Sequence, residues 1–213
     1  MKKEYGALLN AAVAISEEAG KAIMDIYSGD TLGTTYKDGG SPLTLADMAA
    51  HNIILEQLKK NTPDIPILSE ESENVPYDAR KLWKTFWLVD PLDGTKEFIK
   101  RNGEFTVNIA LVDHGKTVLG VVCAPDLSTT YYARKGKGAF KKVSINGERT
   151  SEINVSDYNN GRLIVVASRS HGSKILESFQ NKIGDADYTA MGSSLKLCLV
   201  AEGKAHLYPR LGP

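Results

Sequence analysis

The chain has 213 residues, of which 42% are hydrophobic and 24% charged, a balance typical of a protein that folds around a sizeable core. Lysine plus arginine and aspartate plus glutamate both number 26, so the formal net charge is zero. This balance provides no general attraction to nucleic acid, and we expect no nucleic-acid partner. A net charge of zero is still compatible with local basic pockets that bind small anions.

The N-terminal stretch lacks the pattern of an export signal, because Glu4 and Asn10 interrupt any apolar run. No apolar run reaches the roughly 20 residues of a transmembrane helix. Cys123 and Cys198 both lie inside apolar runs, which favours buried, reduced thiols over a disulfide. We therefore expect a cytoplasmic protein without a transmembrane segment, and peripheral association with the inner face of the cell membrane stays open.

Apolar residues at helical spacing predict a first helix over residues 4–27. The glycine-rich stretch 29–41 follows, and it is read either as a mobile flap or as an inert connector. A second helix is predicted to begin near residues 41–44 and to end near residue 61. Asp47 lies in its first turn, where a carboxylate is favourable simply because of the helix dipole.

Residues 86–98 join a buried strand to the start of a helix. We expect the apolar run to end as a strand at Asp90, because Pro91 cannot continue a ladder of hydrogen bonds. Asp93 and a glycine follow, and then a predicted first helical turn. Two carboxylates beside the free N–H groups of a helix start suit a divalent cation and a phosphate together. Taken alone, the two aspartates could equally be a helix cap and a turn residue.

Glu70 and Glu71 end another apolar run, which would bring one of them toward the end of the strand that carries Asp90. Alternating segments and turn signals between residues 84 and 143 predict an antiparallel sheet backed by the first two helices. His114 is read as a turn residue in that meander. Four lysines are expected at a solvated hairpin tip: Lys135, Lys137, Lys141 and Lys142.

A polar stretch suggests a boundary between an N-terminal α+β domain, residues 1–150, and a C-terminal α/β domain, residues 151–213. The second domain is predicted to run strand, helix, strand, helix, strand. Two of its loops follow strand ends, where open α/β sheets bind ligands. Their candidate substrate-binding residues are Ser168, Arg169, Gly192, Ser193, Ser194 and Lys196.

The ordered motifs resemble a known enzyme superfamily along nearly all of the chain. Residues 69–72 read S-E-E-S, residues 90–95 read D-P-L-D-G-T, and residues 192–196 read G-S-S-L-K. This order is similar to the lithium-sensitive, magnesium-dependent phosphatases, which include inositol monophosphatases, fructose bisphosphatases and 3'(2'),5'-bisphosphate nucleotidases. The longer stretch 90–108 most resembles the bacterial nucleotidases of that group. The resemblance implies a two-domain, layered αβαβα sugar-phosphatase fold.

The resemblance also implies a catalytic site with two or three Mg²⁺ ions and inhibition by lithium. One ion would be held by Glu70, Asp90 and the carbonyl of Leu92, and would activate a water as the nucleophile. A second ion would be held by Asp90, Asp93 and a further aspartate of a W-D motif. Thr95, polarised by Asp47, would orient that water, and Gly94 with Thr95 would hold the phosphate. The catalytic set is therefore Asp47, Glu70 and Thr95, and the substrate would also contact Glu70, Leu92, Asp93, Gly94 and Thr95.

The implied reaction is hydrolysis of adenosine 3',5'-bisphosphate to AMP and phosphate, and its sulfated analogue stays open as a substrate. Two alternatives remain, an inositol or sugar phosphate phosphatase and, if the chain is truncated, a non-catalytic binder of phosphorylated nucleotides. The sequence ends at Pro213, before the W-D motif and closing elements of the family, so its C-terminal part is expected to be incomplete. The oligomeric state, monomer or homodimer, is also left open.

Overall fold

The computed structural model describes residues 4–37, 40, 42–72, 75–158, 161–168 and 174–210, without the side chains of residues 168, 174–177 and 180. Within it the chain divides into two compact units, Met1–Glu152 and Ile153–Pro213. The predicted assignment of metal binding to the first part and of nucleotide binding to the second remains a prediction.

In its described residues, the first unit combines four helices with a seven-stranded sheet and a two-stranded hairpin. Its helices are α1 (Glu4–Tyr27), α2 (Leu45–Asn61), α3 (Tyr77–Arg80) and α4 (Thr95–Ile99). The hairpin pairs β1 (Thr35–Tyr36) with β2 (Pro42–Leu43). The large sheet contains β3 (Ile67–Ser69), β4 (Thr85–Asp93), β5 (Thr106–Asp113), β6 (Lys116–Ala124), β7 (Thr129–Arg134), β8 (Ala139–Val143) and β9 (Arg149–Ile153).

The seven strands lie side by side in their sequence order, from β3 to β9. Strand β3 pairs in parallel with β4, whereas β4 to β8 pair antiparallel with their neighbours. The predicted meander between residues 84 and 143 is therefore confirmed. Asn146 and Gly147 both adopt positive φ, 54° and 102°, the conformation that an Asn-Gly turn favours.

The core lies between this sheet and the helices α1 and α2. Helix α1 contributes buried Ala12, Ile15, Ala19 and Ile23, which recur at the three- and four-residue spacing of one helix face. Alternate strand residues face them, including Trp87 and Val89 of β4 and Ile109 and Leu111 of β5. Each fully buried valine, leucine or isoleucine of this core stabilises the fold by roughly 1.5–3 kcal/mol. The strand ends that carry acidic residues are thus anchored on a rigid core.

Three details differ from the sequence predictions. Thr35 and Tyr36 of the glycine-rich stretch form β1, which pairs with Pro42 and Leu43 just after that stretch. Strand β4 continues through Pro91 to Asp93 instead of ending at Asp90. Lys142 is not at a solvated hairpin tip: its side chain is 14% exposed and its Nζ lies 2.8 Å from a carboxylate oxygen of Glu17.

The second unit contains a parallel strand pair, β10 (Leu163–Ser168) and β11 (Ala186–Met191), with helices α5 (Lys174–Ile183) and α6 (Leu195–Ala201). The predicted order of strand and helix is confirmed up to α6. The prediction of a last strand at residues 205–209 is wrong, because these residues contribute only a bridge between Val165 and Leu207. Cys123 and Cys198 are both buried, and neither forms a disulfide within the described residues, as predicted.

The described ranges contain no helix with both the length and the apolar character that a membrane span requires.

Candidate active site

A bulge in β4 explains how Asp90 and Asp93 come to share one side of the sheet. Residues three apart on a regular strand point to opposite faces. Here Asp90 pairs with Asn108 and Asp93 pairs with Thr106, so three steps along β4 match two steps along β5. The extra residue restores the parity and directs both carboxylates to the same face. The bulge also tolerates Pro91, which cannot donate a ladder hydrogen bond.

Glu70 follows the last residue of β3, next to the strand that carries Asp90. Ser69 pairs with Val89, and the Glu70 N–H donates to the Val89 carbonyl at 3.0 Å. Because β3 and β4 are parallel, their carboxyl ends lie at the same edge of the sheet. The structure therefore brings Glu70 and Asp90 to adjacent strand ends, as the sequence predicted.

Lys37, from the loop between β1 and β2, forms ion pairs with both glutamates. Its Nζ lies 3.1 Å from Oε1 of Glu70 and 2.6 Å from Oε1 of Glu71. Burial acts to lower the pKa of Lys37, but the hydrogen bonds and charges of Glu71 and Glu70 outweigh it and raise that pKa. The side chain of Glu71 is 5% exposed and that of Glu70 is 54% exposed. One ammonium group thus compensates part of the negative charge of Glu70 and Glu71.

Asp90 has the largest pKa shift of the site. Burial, followed by the charges of Asp93 and Glu70, raises the pKa of Asp90 from 3.8 to about 8. Its Oδ1 is buried and has no hydrogen-bond partner in the described part of the chain. A buried acceptor without a partner is costly. A carboxylate so placed, among other carboxylates, is stabilised by a cation.

Asp47 and Thr95 lie together, at the starts of α2 and α4. The hydroxyl of Thr95 lies 3.4 Å from Oδ1 of Asp47 and 3.4 Å from the carbonyl oxygen of Leu92. Oδ2 of Asp47 accepts hydrogen bonds from the N–H and the hydroxyl of Thr44, at 2.7 and 2.6 Å. Burial raises the pKa of Asp47, although the bonds from Thr44 act in the opposite direction. Asp47 thus caps its own helix and also contacts Thr95.

His51 lies one turn after Asp47 on the buried face of α2. Its Nδ1 shares a hydrogen bond of 3.0 Å with the hydroxyl of Ser69, and both side chains are buried. Burial, together with the charge of Lys59, lowers the pKa of His51, which favours a neutral imidazole at neutral pH. The sequence analysis did not single out His51. The available signal was its position, four residues after Asp47 and on the buried helix face.

Lys37, Ser69 and Arg80 were also missed. Arg80, Glu70, Asp90 and Asn108 line a groove of about 570 Å³ on the sheet of the first unit. Ser69 lies in the S-E-E-S motif but was not proposed as a site residue. No local motif identifies Lys37 or Arg80, since Lys37 lies in a glycine-rich loop and Arg80 in an isolated helical turn. Their proximity to the acidic residues follows from the fold alone.

The residues of this site fit a divalent metal ion in their chemistry. The predicted donors are all oxygens, which suits Mg²⁺ rather than zinc. The unpartnered Oδ1 of Asp90 and the raised pKa of that carboxyl indicate an excess of negative charge. The described side chains do not form a ready cluster of three or more metal-binding groups. Glu70 is paired with Lys37, and it would exchange this ammonium for the metal ion.

In the second unit, both predicted loops follow the carboxyl ends of paired parallel strands, because Ser168 is in register with Met191. Arg169 lies outside the described residues, and so does the side chain of Ser168. Ser193 has a positive φ of 53° in the turn before α6. The Lys196 side chain is buried, and its Nζ donates to the Ser193 carbonyl at 2.5 Å and lies 5.6 Å from the centre of the Tyr208 ring.

A comparison with known protein families identifies the family of this chain. The sequence profile of the inositol monophosphatase family matches residues 4–213. The chain therefore belongs to the inositol monophosphatase family. The predicted layered fold class is confirmed by solved structures of this family.

Two similar proteins share one name. A Salmonella typhimurium protein named 3'(2'),5'-bisphosphate nucleotidase CysQ is 49% identical over 207 residues, which cover 97% of this chain and 81% of the relative. A protein of the same name from Escherichia coli strain K12 is 47% identical over 207 residues, with the same coverage. The predicted resemblance to these nucleotidases is confirmed. The chain spans about four fifths of the length of these relatives.

Solved structures of inositol monophosphatase family members resemble this chain. The crystal structure of CysQ from Bacteroides thetaiotaomicron, described as a bacterial member of the inositol monophosphatase family, has a TM-score of 0.84 and 40% identity. The match covers 97% of this chain and 80% of that chain. The IMPase of Thermotoga maritima has a TM-score of 0.77 and 26% identity, over 93% of this chain and 74% of that one.

Proposed function

We propose that this chain is a magnesium-dependent 3'(2'),5'-bisphosphate nucleotidase, which hydrolyses the 3'-phosphate of adenosine 3',5'-bisphosphate to give AMP and phosphate. The reaction class is supported by relatives of that name at 47–49% identity over 97% of the chain. The choice of Mg²⁺ and of this substrate goes beyond those names. The single observation that carries the metal dependence is Asp90, whose buried Oδ1 has no partner in the described residues and whose pKa is raised to about 8.

Glu70, Asp90, Asp93 and the carbonyl of Leu92 would hold the metal. When bound, Mg²⁺ neutralises charge on the phosphate and makes a water molecule a stronger nucleophile at neutral pH. Asp90 is central to this set, because it lies between Glu70 on the neighbouring strand and Asp93 across the bulge. The charge of Asp90 would balance that of a bound cation, and the repulsion among the carboxylates would fall on binding.

Thr95 and Asp47 would orient and deprotonate the attacking water. The Thr95 hydroxyl can donate to Oδ1 of Asp47 and accept from the water, and in this way Asp47 would hold the hydroxyl in one orientation. The distance of 3.4 Å is long for a strong bond, and we expect it to shorten with substrate bound. The N–H groups of Gly94 and Thr95, at the start of α4, would hold the phosphate oxygens.

The second unit would bind the nucleotide. Ser168, Arg169 and the turn Gly192 to Ser194 are our candidates for contacts to the sugar, the base or the 5'-phosphate. Two loops at the carboxyl ends of parallel strands support this proposal, because ligands of open α/β sheets bind at such ends. Lys196 supplies a positive charge beside one of these loops, which suits the second phosphate of the substrate.

A comparison of three substrates tests the proposal. Phosphate release is measured with Mg²⁺ on adenosine 3',5'-bisphosphate, inositol 1-phosphate and fructose 1,6-bisphosphate, and again with the metal removed by EDTA. We expect the highest kcat/KM on the nucleotide and no turnover in EDTA. A preference for inositol 1-phosphate or for fructose 1,6-bisphosphate would favour the alternative phosphatase activities, and undiminished turnover in EDTA would contradict the metal dependence.

A further inference from the structure

The buried face of α2 is apolar apart from two side chains, Asp47 and His51, that are also well placed to act on the site. Its other buried members are Ala46, Ala50, Ile54 and Leu58. Residues four apart lie on the same side of a helix, one turn above the other. Buried polar side chains cost free energy unless they are hydrogen-bonded. The bonds that Asp47 and His51 form therefore indicate why polar groups occupy these positions.

Each bond reaches a different segment of the candidate active site. Oδ1 of Asp47 lies 3.4 Å from the hydroxyl of Thr95, at the start of α4. Nδ1 of His51 lies 3.0 Å from the hydroxyl of Ser69, the residue directly before Glu70. Helix α2 is in this way connected to both the water-orienting threonine and the glutamate that would bind the metal.

The strand that carries Ser69 is held by its ladder with β4 and, just beyond its end, by the ion pairs of Lys37 with Glu70 and Glu71. Strand β3 is only three residues long and, within the described residues, lies at the edge of the sheet, so the ladder holds it from one side, by β4. Short edge strands are the most easily displaced part of a sheet. The glutamate that follows has a largely exposed side chain, which gives it little packing of its own. The bond from His51 reaches the side chain of Ser69 and therefore constrains β3 separately from the ladder.

We propose that His51 is a positioning residue that acts through Ser69 to fix the end of β3, and thereby sets the affinity of Glu70 for the divalent metal ion. The inference rests on the proposed function, since it requires that Glu70 binds the metal. Indirect partners of this kind typically change metal affinity by about 10- to 100-fold when they are removed. The role differs from core packing, because a leucine could fill the same space without the hydrogen bond.

Calorimetric titration with MgCl₂ in the absence of substrate tests the proposal, alongside the melting temperature in EDTA. We expect His51→Leu and Ser69→Ala each to raise the Kd for Mg²⁺ by at least ~10-fold. The double variant should be no worse than the more affected single variant, because both remove the same bond. His51→Asn should restore most of the affinity, since its amide lies near the position of Nδ1.

Ile54→Val is the matched control, one turn further along the same buried face. It should lower the melting temperature and leave the Kd for Mg²⁺ unchanged. If His51→Leu and Ser69→Ala also lower only the melting temperature, the pair is structural and the proposal is overturned. Ser69→Ala removes one atom and decides the matter if His51→Leu does not fold. A wild-type chain that binds no Mg²⁺ would instead overturn the proposed function itself.

Discussion

The two units of the chain place polar residues at strand ends in different ways. In the first unit, carboxylates at the ends of β3 and β4 are held by a sheet that packs against two long helices. In the second, hydroxyl groups and lysine follow a pair of parallel strands, and β11 is mostly exposed along its length. Negative charge on a rigid base suits metal binding and catalysis. Donor groups on loops suit recognition of a substrate that carries phosphate.

This difference leads to a division of effects. Changes at the acidic strand ends of the first unit should act on kcat and on metal affinity. Changes in the loops of the second unit should act on KM and on the discrimination among phosphate esters. Four variants test whether the effects on kcat and metal affinity can be separated from those on KM and substrate discrimination.

The largest effect is expected for Asp90→Asn. Activity should be lost, because this carboxylate is the common partner of Glu70 and Asp93 in the proposed metal site. The metal-free protein should nevertheless become more stable at neutral pH, because a neutral amide replaces a buried, crowded carboxyl group that the fold has to keep protonated. The measurements are phosphate release with Mg²⁺ and the melting temperature in EDTA.

The raised pKa of Asp90 also predicts how the free energy of unfolding changes with pH. The pKa of Asp90 is raised from 3.8 to about 8 in the folded state without metal, so between these values the folded chain retains a proton that the unfolded chain has lost. The contribution of Asp90 to the free energy of unfolding therefore falls as the pH rises through this window. Asp90→Asn should remove that decline. Parallel stability curves for the two proteins in EDTA would contradict it.

The second prediction concerns Thr95→Ala, which should lower kcat by about 10²–10⁴ because a positioned proton-transfer group is lost. The Kd for Mg²⁺ should change little, since the hydroxyl is not among the proposed metal ligands. Thr95→Ser is the matched control, because it keeps the hydroxyl that lies near Asp47. Wild-type kcat in Thr95→Ala would show that the Asp47–Thr95 pair does not activate water.

The third prediction moves to the second unit, where Lys196→Met should raise KM for adenosine 3',5'-bisphosphate. A charge-assisted hydrogen bond of about 1.5–3 kcal/mol corresponds to roughly a 10- to 100-fold change. The value of kcat should be retained, and adenosine 3'-phosphate, which lacks the second phosphate, should be affected much less. Steady-state kinetics on both compounds distinguish recognition from catalysis. An equal loss on the two would indicate that Lys196 only supports the local fold through Ser193 and Tyr208.

The smallest effect is expected for Lys37→Met. The ammonium of Lys37 pairs with Glu70 and Glu71, so Mg²⁺ must compete with it for Glu70. A partly exposed ion pair is worth about 0.2–1 kcal/mol, so its removal should tighten Mg²⁺ binding by no more than about 5-fold. Lys37→Arg retains the charge and serves as the control. Weaker Mg²⁺ binding in Lys37→Met would show that Lys37 assists the metal site instead of competing for it.

Much of the fold follows from local patterns in the sequence. The helical spacing in α1 and the alternation in β4 to β8 are strong enough to predict both elements and the meander. The continuation of β4 through Pro91 was not predictable, because a bulge is formed by pairing with β5 and has no local signature. The last predicted strand reduces to a bridge at Leu207, since tertiary pairing and not propensity determines a strand.

The candidate site divides in the same way. Asp90, Asp93 and Glu70 stand at strand ends in recognisable motifs, so the sequence alone predicts them as a group. Lys37 and His51 reach the site across the fold, through contacts with residues that are 33 and 18 positions away. Long-range contacts of this kind leave no pattern in the surrounding sequence. The contacts of Lys37 and His51 with the site are therefore visible only in the structure.

The regiochemistry of hydrolysis tests the central claim most directly. The purified chain is incubated with adenosine 3',5'-bisphosphate and Mg²⁺, and the products are followed by ³¹P NMR. Our account predicts that the 3'-phosphate resonance is lost while the 5'-phosphate resonance persists, so that AMP and inorganic phosphate accumulate in equal amounts, and that EDTA stops the reaction. Release of the 5'-phosphate, or an unchanged spectrum while the wild-type chain binds Mg²⁺, would contradict it.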